Sequence, residues 1–173
     1  MQYRLIEKKE ARLLASLDRS EKIKESYIFH DGGLVLVKSP LDIKGWIEEE
    51  VESYIERTKE LVGEGGWALG AFDGNRLIGL GSLDSRFLSG QRLKLDILYI
   101  DRSYRGKKVG SRLMTYFKEE AKRQGARSIY ISASPFKNTV DFYQGQGAVL
   151  AEEVDGKLYD LEPEDIHMEI FLR

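Results

Sequence analysis

Between Gly45 and Val62 apolar side chains recur at helical spacing. Ile47, Val51, Tyr54, Ile55, Thr58, Leu61 and Val62 form one stripe, and Gly63 is the stop. The other face carries Glu48, Glu49, Glu52, Glu56 and Lys59 and reads as solvated. The period then changes. Trp67 to Phe72 and Arg76 to Leu83 are short apolar runs joined by Asp73-Gly74-Asn75, which predicts a β-hairpin. Leu93 to Ile100, LKLDILYI, alternates at first and is then nearly all apolar, which predicts a strand covered on both faces in its second half. Val109, Leu113, Met114, Phe117 and Ala121 give the apolar stripe of a helix over Val109 to Gln124, ended by Gly125. Ala126 to Ser134 is a β-branched run and predicts another strand. Asn138, with Asp141 three residues on, fits the cap of a short helix ending near Gly145 or Gly147. Ala148 to Val154 and Ile166 to Leu172 read as two closing strands around a polar loop. At the N-terminus the pattern predicts a strand over Met1 to Glu7, a helix near Ala11 to Leu17, and extended chain at Tyr27 to Val37.

These elements predict one α/β domain over residues 1–173, with a mixed sheet and one strand-helix-strand crossover. At 173 residues, 42% hydrophobic and 32% charged, the chain has the composition of a soluble globular domain. A net charge of −2 argues against a nucleic-acid partner. With no cysteine, and His30 and His167 far apart, thiolate chemistry is excluded and no metal site is expected. The first twenty residues lack a continuous apolar core, and no apolar run approaches the ~18 residues of a membrane helix. A cytoplasmic protein without a membrane partner is expected.

The segment that carries chemistry is Leu98 to Leu113, LYIDRSYRGKKVGSRL. An apolar strand runs into a loop holding Arg102, Arg105, Lys107 and Lys108, and Gly106 and Gly110 bracket the start of an amphipathic helix. Glycine lets a ligand approach the backbone, and the first N–H groups of a helix favour an anion. Phosphate or pyrophosphate is the natural ligand, with the basic side chains adding charge-assisted bonds. The alternative is a glycine-relieved turn beside a solvated basic patch. Gly63-Glu-Gly65-Gly-Trp-Ala68 mimics a dinucleotide fingerprint, but it follows a helix and enters a strand, the reverse of the required context.

Leu98-Tyr-Ile-Asp-Arg-Ser-Tyr-Arg-Gly-Lys-Lys-Val-Gly110 resembles the acyl-CoA-binding motif of the GNAT superfamily of N-acetyltransferases, L-Y-V-x-P-x-Y-R-G-x-G-I-G. Downstream, Ser134 to Gly147, SPFKNTVDFYQGQG, is similar to that family's N-x-x-A-x-x-F-Y-x-x-x-G-F segment. The motif-bearing likeness covers about 93 to 148. Lys108 departs from the pattern by standing where the family usually has the first glycine of its kernel; it either crowds the pyrophosphate or offers it a positive charge. Arg102 replaces a frequent proline, and Ala148 an aromatic residue.

The resemblance implies a single GNAT-like domain, with a mixed central sheet of about six to seven strands flanked by about four helices. It implies acetyl-CoA as cosubstrate, cradled by Arg105, Gly106, Lys107, Lys108, Val109, Gly110 and Ser111. The backbone of Leu98, Tyr99 and Ile100 would pair with the pantetheine arm as a strand pairs with a strand. Asn138 would reach the pantetheine or cap its helix. Tyr143 matches the tyrosine that protonates the departing thiolate in many members, or else is a core tyrosine. Asp96 is a candidate proton acceptor, sharing a face with Lys94 and Leu98, or else a strand carboxylate that is exposed or paired with a cation. The implied reaction is direct acetyl transfer to a primary amine, on a small molecule or peptide, in a ternary complex without metal. The alternatives are a CoA-binding sensor or interaction module with catalysis lost, or transfer of another acyl group. The acceptor's identity and a homodimer stay open.

Overall fold

The computed structural model describes residues 1–173. Seven strands form a mixed sheet in the order β1-β4-β5-β6-β7-β9-β8, and β2 and β3 form a separate two-stranded sheet. The strands are β1 (Gln2–Leu5), β2 (Glu21–His30), β3 (Gly33–Ile43), β4 (Trp67–Asp73), β5 (Arg76–Leu88), β6 (Arg92–Ile100), β7 (Ser128–Ala133), β8 (Val149–Leu150) and β9 (Ile166–Phe171). The helices are α1 (Glu48–Gly63), α2 (Val109–Arg123), α3 (Lys137–Gly145) and α4 (Gly156–Leu161), with a 3-10 segment over Lys8–Ser16. Only β6 and β7 pair in parallel, joined through α2.

The sheet buries both faces. On one side α2 and α3 cover a cluster centred on Leu93, Leu95, Leu113, Phe117, Ile129 and Met168. On the other, the 3-10 segment and α1 cover Ala68, Phe72, Leu77, Leu80 and Ile97. Close approach of α2 depends on two glycines of β5. A Cβ on Gly79 would lie 2.9 Å from Ile100, and one on Gly81 would lie 2.7 Å from the Phe117 ring. Both positions are glycine because the helix occupies the space a side chain would need.

Two expectations are corrected. The extended chain at Tyr27 to Val37 is part of a long hairpin, turning at Asp31-Gly32, both at positive φ. Asp-Gly is the strongest short-range hairpin signal, but the apolar alternation around it is blurred because the hairpin tip is exposed on both faces, with Phe29 63% and Val35 43% exposed. Ala148 to Val154 yields only the two-residue strand β8, and α4 fills part of the predicted polar loop. The second half of β6 packs side chains on both faces, as expected, but its edge toward β7 is free, because β6 and β7 pair only through Leu95↔Ile131 and then part.

That parting is prepared by a bulge. Leu83 pairs with Leu95 and Ser82 with Ile97, so Asp96 is the extra residue. It reverses the facing of β6. Leu93 and Leu95 pack toward α2, Ile97 and Tyr99 toward α1, and Leu98 and Ile100 toward α2 again. Asp96 therefore shares the α1 face with Lys94, as expected, but not with Leu98.

Gly81→Ala places a methyl against Phe117 and should lower stability by about 1–3 kcal/mol through overpacking. An unchanged denaturant midpoint would show that α2 can shift outward without cost.

Candidate active site

Where β6 and β7 part, a cleft of about 880 Å³ opens between the two layers. One end is built by the start of α2 and by α3; the other is walled by Tyr54 and Arg57 of α1 and by Leu158, Leu161 and Glu162 in and after α4. The floor is β6 from Lys94 to Ile100. Beyond Leu95 the β7 side of β6 has no strand partner, while its other side stays paired with β5.

At the first end the backbone is the prominent donor. The N–H groups of Lys108, Val109, Gly110 and Ser111 make no hydrogen bond within the chain, and the first helical bond is Arg112 N to Lys108 O at 3.0 Å. Four adjacent free donors on the positive end of a 15-residue helix form an anion site. Lys108 is the helix N-cap and has left-handed backbone, φ 64° and ψ 11°. Glycine takes this conformation freely, and lysine holds it under strain. The departure noted in the sequence thus has a backbone meaning beyond crowding or charge.

The basic loop is mostly committed elsewhere. Arg102 donates to Ser20 Oγ (3.1 Å), and Arg105 to the carbonyls of Ile100 (3.2 Å) and Ser20 (3.3 Å) with Glu21 at 3.6 Å. Lys107 lies over the Tyr104 ring at 4.8 Å. Lys108 is exposed and pairs with no acidic group, so it is the cation left at the helix start. Gly110 has a packing role: a Cβ there would lie 3.2 Å from the Phe142 ring, so it seats α3 against α2.

Of the residues expected from sequence, Leu98, Tyr99, Ile100, Arg105, Gly106, Lys108, Val109, Gly110, Ser111, Asn138, Tyr143 and Asp96 all line the cleft, and Lys107 does not. Asn138 is not the helix cap, which is Phe136; its amide donates to Glu21 of β2 and ties the hairpin to the cleft wall. Tyr99 lines the cleft, and its ring packs on Trp46 (4.7 Å) and Tyr54 (5.7 Å). Tyr143 is 7% exposed, and burial alone pushes its phenol above the ordinary range, with no hydrogen-bonding partner offsetting it. Asp96 sits between Arg57 Nε (2.9 Å) and Lys94 Nζ (3.0 Å), its side chain 5% exposed. Of the two readings its position allowed, the geometry is that of the paired carboxylate.

The sequence reading missed the far wall. Glu50, Tyr54 and Arg57 lie three or four residues apart along α1, a second stripe beside the apolar one, and helical spacing could have found it. Ser132 and Asp165, joined by a 2.8 Å hydrogen bond, carry no local signal because their meeting depends on strand register.

One buried carboxylate holds the approach to α2 together. Asp101 accepts from Asp18 N (3.1 Å), Ser103 N (3.0 Å), Ser103 Oγ (2.6 Å) and Arg76 (2.9 Å). Burial alone would raise its pKa, but hydrogen bonds from Ser103, the Asp18 amide and Arg76 prevail and hold it at about 2. The folded-state value lies below the ~3.9 of an unfolded chain. Its contribution is therefore whole above about pH 4 and is lost as pH falls toward about 2. Asp101→Asn should be less stable at neutral pH yet lose less than wild type between pH 4 and pH 2; parallel stability curves over that window would refute the linkage. Separately, Lys108→Gly should raise stability by about 1 kcal/mol by relieving the left-handed backbone. A lower melting temperature would mean that the lysine side chain stabilises more than the strain costs.

The model of the Acetyltransferase (GNAT) family matches residues 36–148. No curated protein matches by sequence. Among solved structures, nourseothricin acetyltransferase superposes with TM-score 0.75 at 19% identity, covering 99% of this chain and 98% of that one. Aminoglycoside 6'-acetyltransferase type Ii gives TM-score 0.68 at 19% identity, covering 100% and 98%. The PaiA N-acetyltransferase of Thermoplasma acidophilum, solved with coenzyme A, gives 0.61 at 21%, covering 99% of both chains. At such identities the likeness is one of fold. The family match spans more than half of the chain and includes the free-amide helix start and the parted strands, so this protein belongs to the GNAT family and is an N-acetyltransferase of that type.

Proposed function

We propose that the protein transfers the acetyl group of acetyl-CoA to a primary amine by direct attack in a ternary complex. The observation that carries this reading is the continuity of the cleft: free backbone on β6 leads straight into four free N–H groups at the start of α2. A pyrophosphate suits the helix start, and an extended pantetheine arm suits the unpaired strand. The solved PaiA relative is a coenzyme A complex, which supports the same cosubstrate here. The far end of the cleft, walled by α1 and the C-terminal segment, is left for the acceptor. Two of the structural relatives are named for small amine-bearing antibiotics, which supports a small-molecule acceptor, with peptide amines as the other arm of an assay. No residue group able to hold a metal ion is present, and no helix is long and apolar enough to cross a membrane. A cysteine-free chain suits the cytoplasm.

Tyr143 is the acid in this scheme. Its phenol, kept protonated by burial, borders the cleft and is available to a thiolate as the carbon–sulfur bond breaks. Asn138 and the free amides of 108–111 bind and orient the donor. A saturating donor at ~100 times its dissociation constant should stabilise the fold by about 2.7 kcal/mol. No rise in melting temperature with millimolar acetyl-CoA would remove the donor from the proposal. Tyr143→Phe should lower kcat by roughly 10²–10⁴-fold in single-turnover measurements and leave CoA affinity nearly unchanged. Turnover close to wild type would reduce Tyr143 to a packing residue.

A further inference from the structure

The cleft holds a second carboxylate at the point where the strands part. The last β6–β7 pair is Leu95↔Ile131, so Asp96 and Ser132 are the next residues on the two diverging strands. Asp96 is neutralised from two sides by Arg57 and Lys94. Ser132 Oγ instead donates at 2.8 Å to Asp165 Oδ2, on the turn just before β9. Asp165 is half-buried, lines the cleft, and lies in no ion pair; its other oxygen has no partner. The charged groups that act on it are Lys94 on β6 and Glu164 on its own segment, while Asp96, Arg57 and Glu162 line the same cleft and His167, whose neutral form burial favours, follows on β9.

We propose that Asp165, not Asp96, is the carboxylate that binds the acceptor amine and takes its proton. The inference rests on the acetyl-transfer reading above. The ammonium first gives one proton to the free oxygen of Asp165, which releases it to solvent; the neutral nitrogen then attacks the thioester carbonyl carbon, the carbon–nitrogen bond forms, and the carbon–sulfur bond breaks with its electron pair leaving on sulfur. The sulfur takes the Tyr143 proton, and the second proton, shed by nitrogen after attack, goes to the same oxygen of Asp165. The two side chains then exchange with solvent, and the balance closes. Two properties suit Asp165 to this task. Unlike Asp96 it lies in no ion pair, with Lys94 acting on it only from a distance, so an ammonium group has reason to approach it. Burial pushes its carboxyl upward, against opposing contributions from Ser132 and Lys94, which makes it a better proton acceptor than an exposed carboxylate.

The test is Asp165→Asn, which keeps an oxygen for the Ser132 hydroxyl, assayed with acetyl-CoA and a panel of polyamines, aminoglycosides, amino acids and peptide amines. Acetyl transfer at pH 7 should fall roughly 10²–10⁴-fold, and the deficit should shrink as pH rises toward the ~10 at which the free amine dominates. The dissociation constant for acetyl-CoA should stay within about twofold of wild type, a separation that a merely structural defect would not produce. Ser132→Ala, which only releases the carboxylate, should give a smaller loss with the same pH trend and serves if the asparagine variant folds poorly. Wild-type turnover and an unchanged pH profile in both variants would overturn the role of Asp165 and leave the transfer reading intact. A wild-type chain that binds acetyl-CoA but acetylates no amine would overturn both.

Discussion

Everything in the site follows from the parting of β6 and β7 after Leu95↔Ile131. A parallel pair that continued would consume the backbone donors and acceptors of Leu98 to Ile100 and close the cleft. The bulge at Asp96 provides the means, since one extra residue bends β6 and exchanges the faces that its side chains present. The same residue then lands beside Arg57 and Lys94, so the irregularity is held by charge as well as by register. An unpaired backbone edge inside a protein is costly unless something completes it. In the proposed reaction the completing strand is the pantetheine arm of the donor.

The second requirement is that a helix start be aimed at this edge, and glycines meet it from two directions. Gly79 and Gly81 let α2 settle onto β5, and Gly110 lets Phe142 bring α3 against the first turn. Aligned in this way, α2 turns its unpaired amides toward the cleft with no side-chain cap in competition. Lys108 holds the strained left-handed position at the entrance. Strain retained at a functional terminus, next to a helix whose burial overdetermines its path, follows a general pattern.

The sequence exposed the parts of this arrangement that are local. The stripe Val109, Leu113, Met114, Phe117 and Ala121, the run LKLDILYI, and the spacing of Asn138 and Tyr143 are short-range signals, and each element came out within two residues. The likeness to the family motifs pointed to the helix start with its free amides for the same reason. What was not legible depends on register or on distant partners. Nothing in LDILYI reveals that one edge of the strand loses its partner after Leu95. The commitments of Arg102 and Arg105 to Ser20 and Ile100 require the N-terminal segment to be in place. Asp165 could be found only after β7 and β9 were paired. The Asp31-Gly32 turn was legible and was passed over because the residues around it alternate poorly.

The far end of the cleft, where the acceptor is proposed to bind, owes its chemistry to one polar face of β7. Ile129, Ile131 and Ala133 of β7 pack toward α2, while Ser128, Tyr130 and Ser132 point the other way and meet β9 in a ladder of polar pairs. Ser128 bonds Glu169, Tyr130 bonds His167 at 2.7 Å, and Ser132 bonds Asp165. Arg92, 2% exposed, closes one end by donating to the carbonyls of Ser89 and Glu153 and lying over the Tyr130 ring. Asp155 N donates to the Tyr130 hydroxyl at 3.1 Å, so the segment leading into α4 is tied down by directional bonds as much as by apolar contact. Such bonds define where a segment lies more sharply than apolar contact does, since each unmet polar group carries a penalty. The first two rungs are buried and serve that purpose alone. The third opens onto the cleft, which makes the carboxylate at the ladder's end both a structural anchor and the charge an incoming amine would meet.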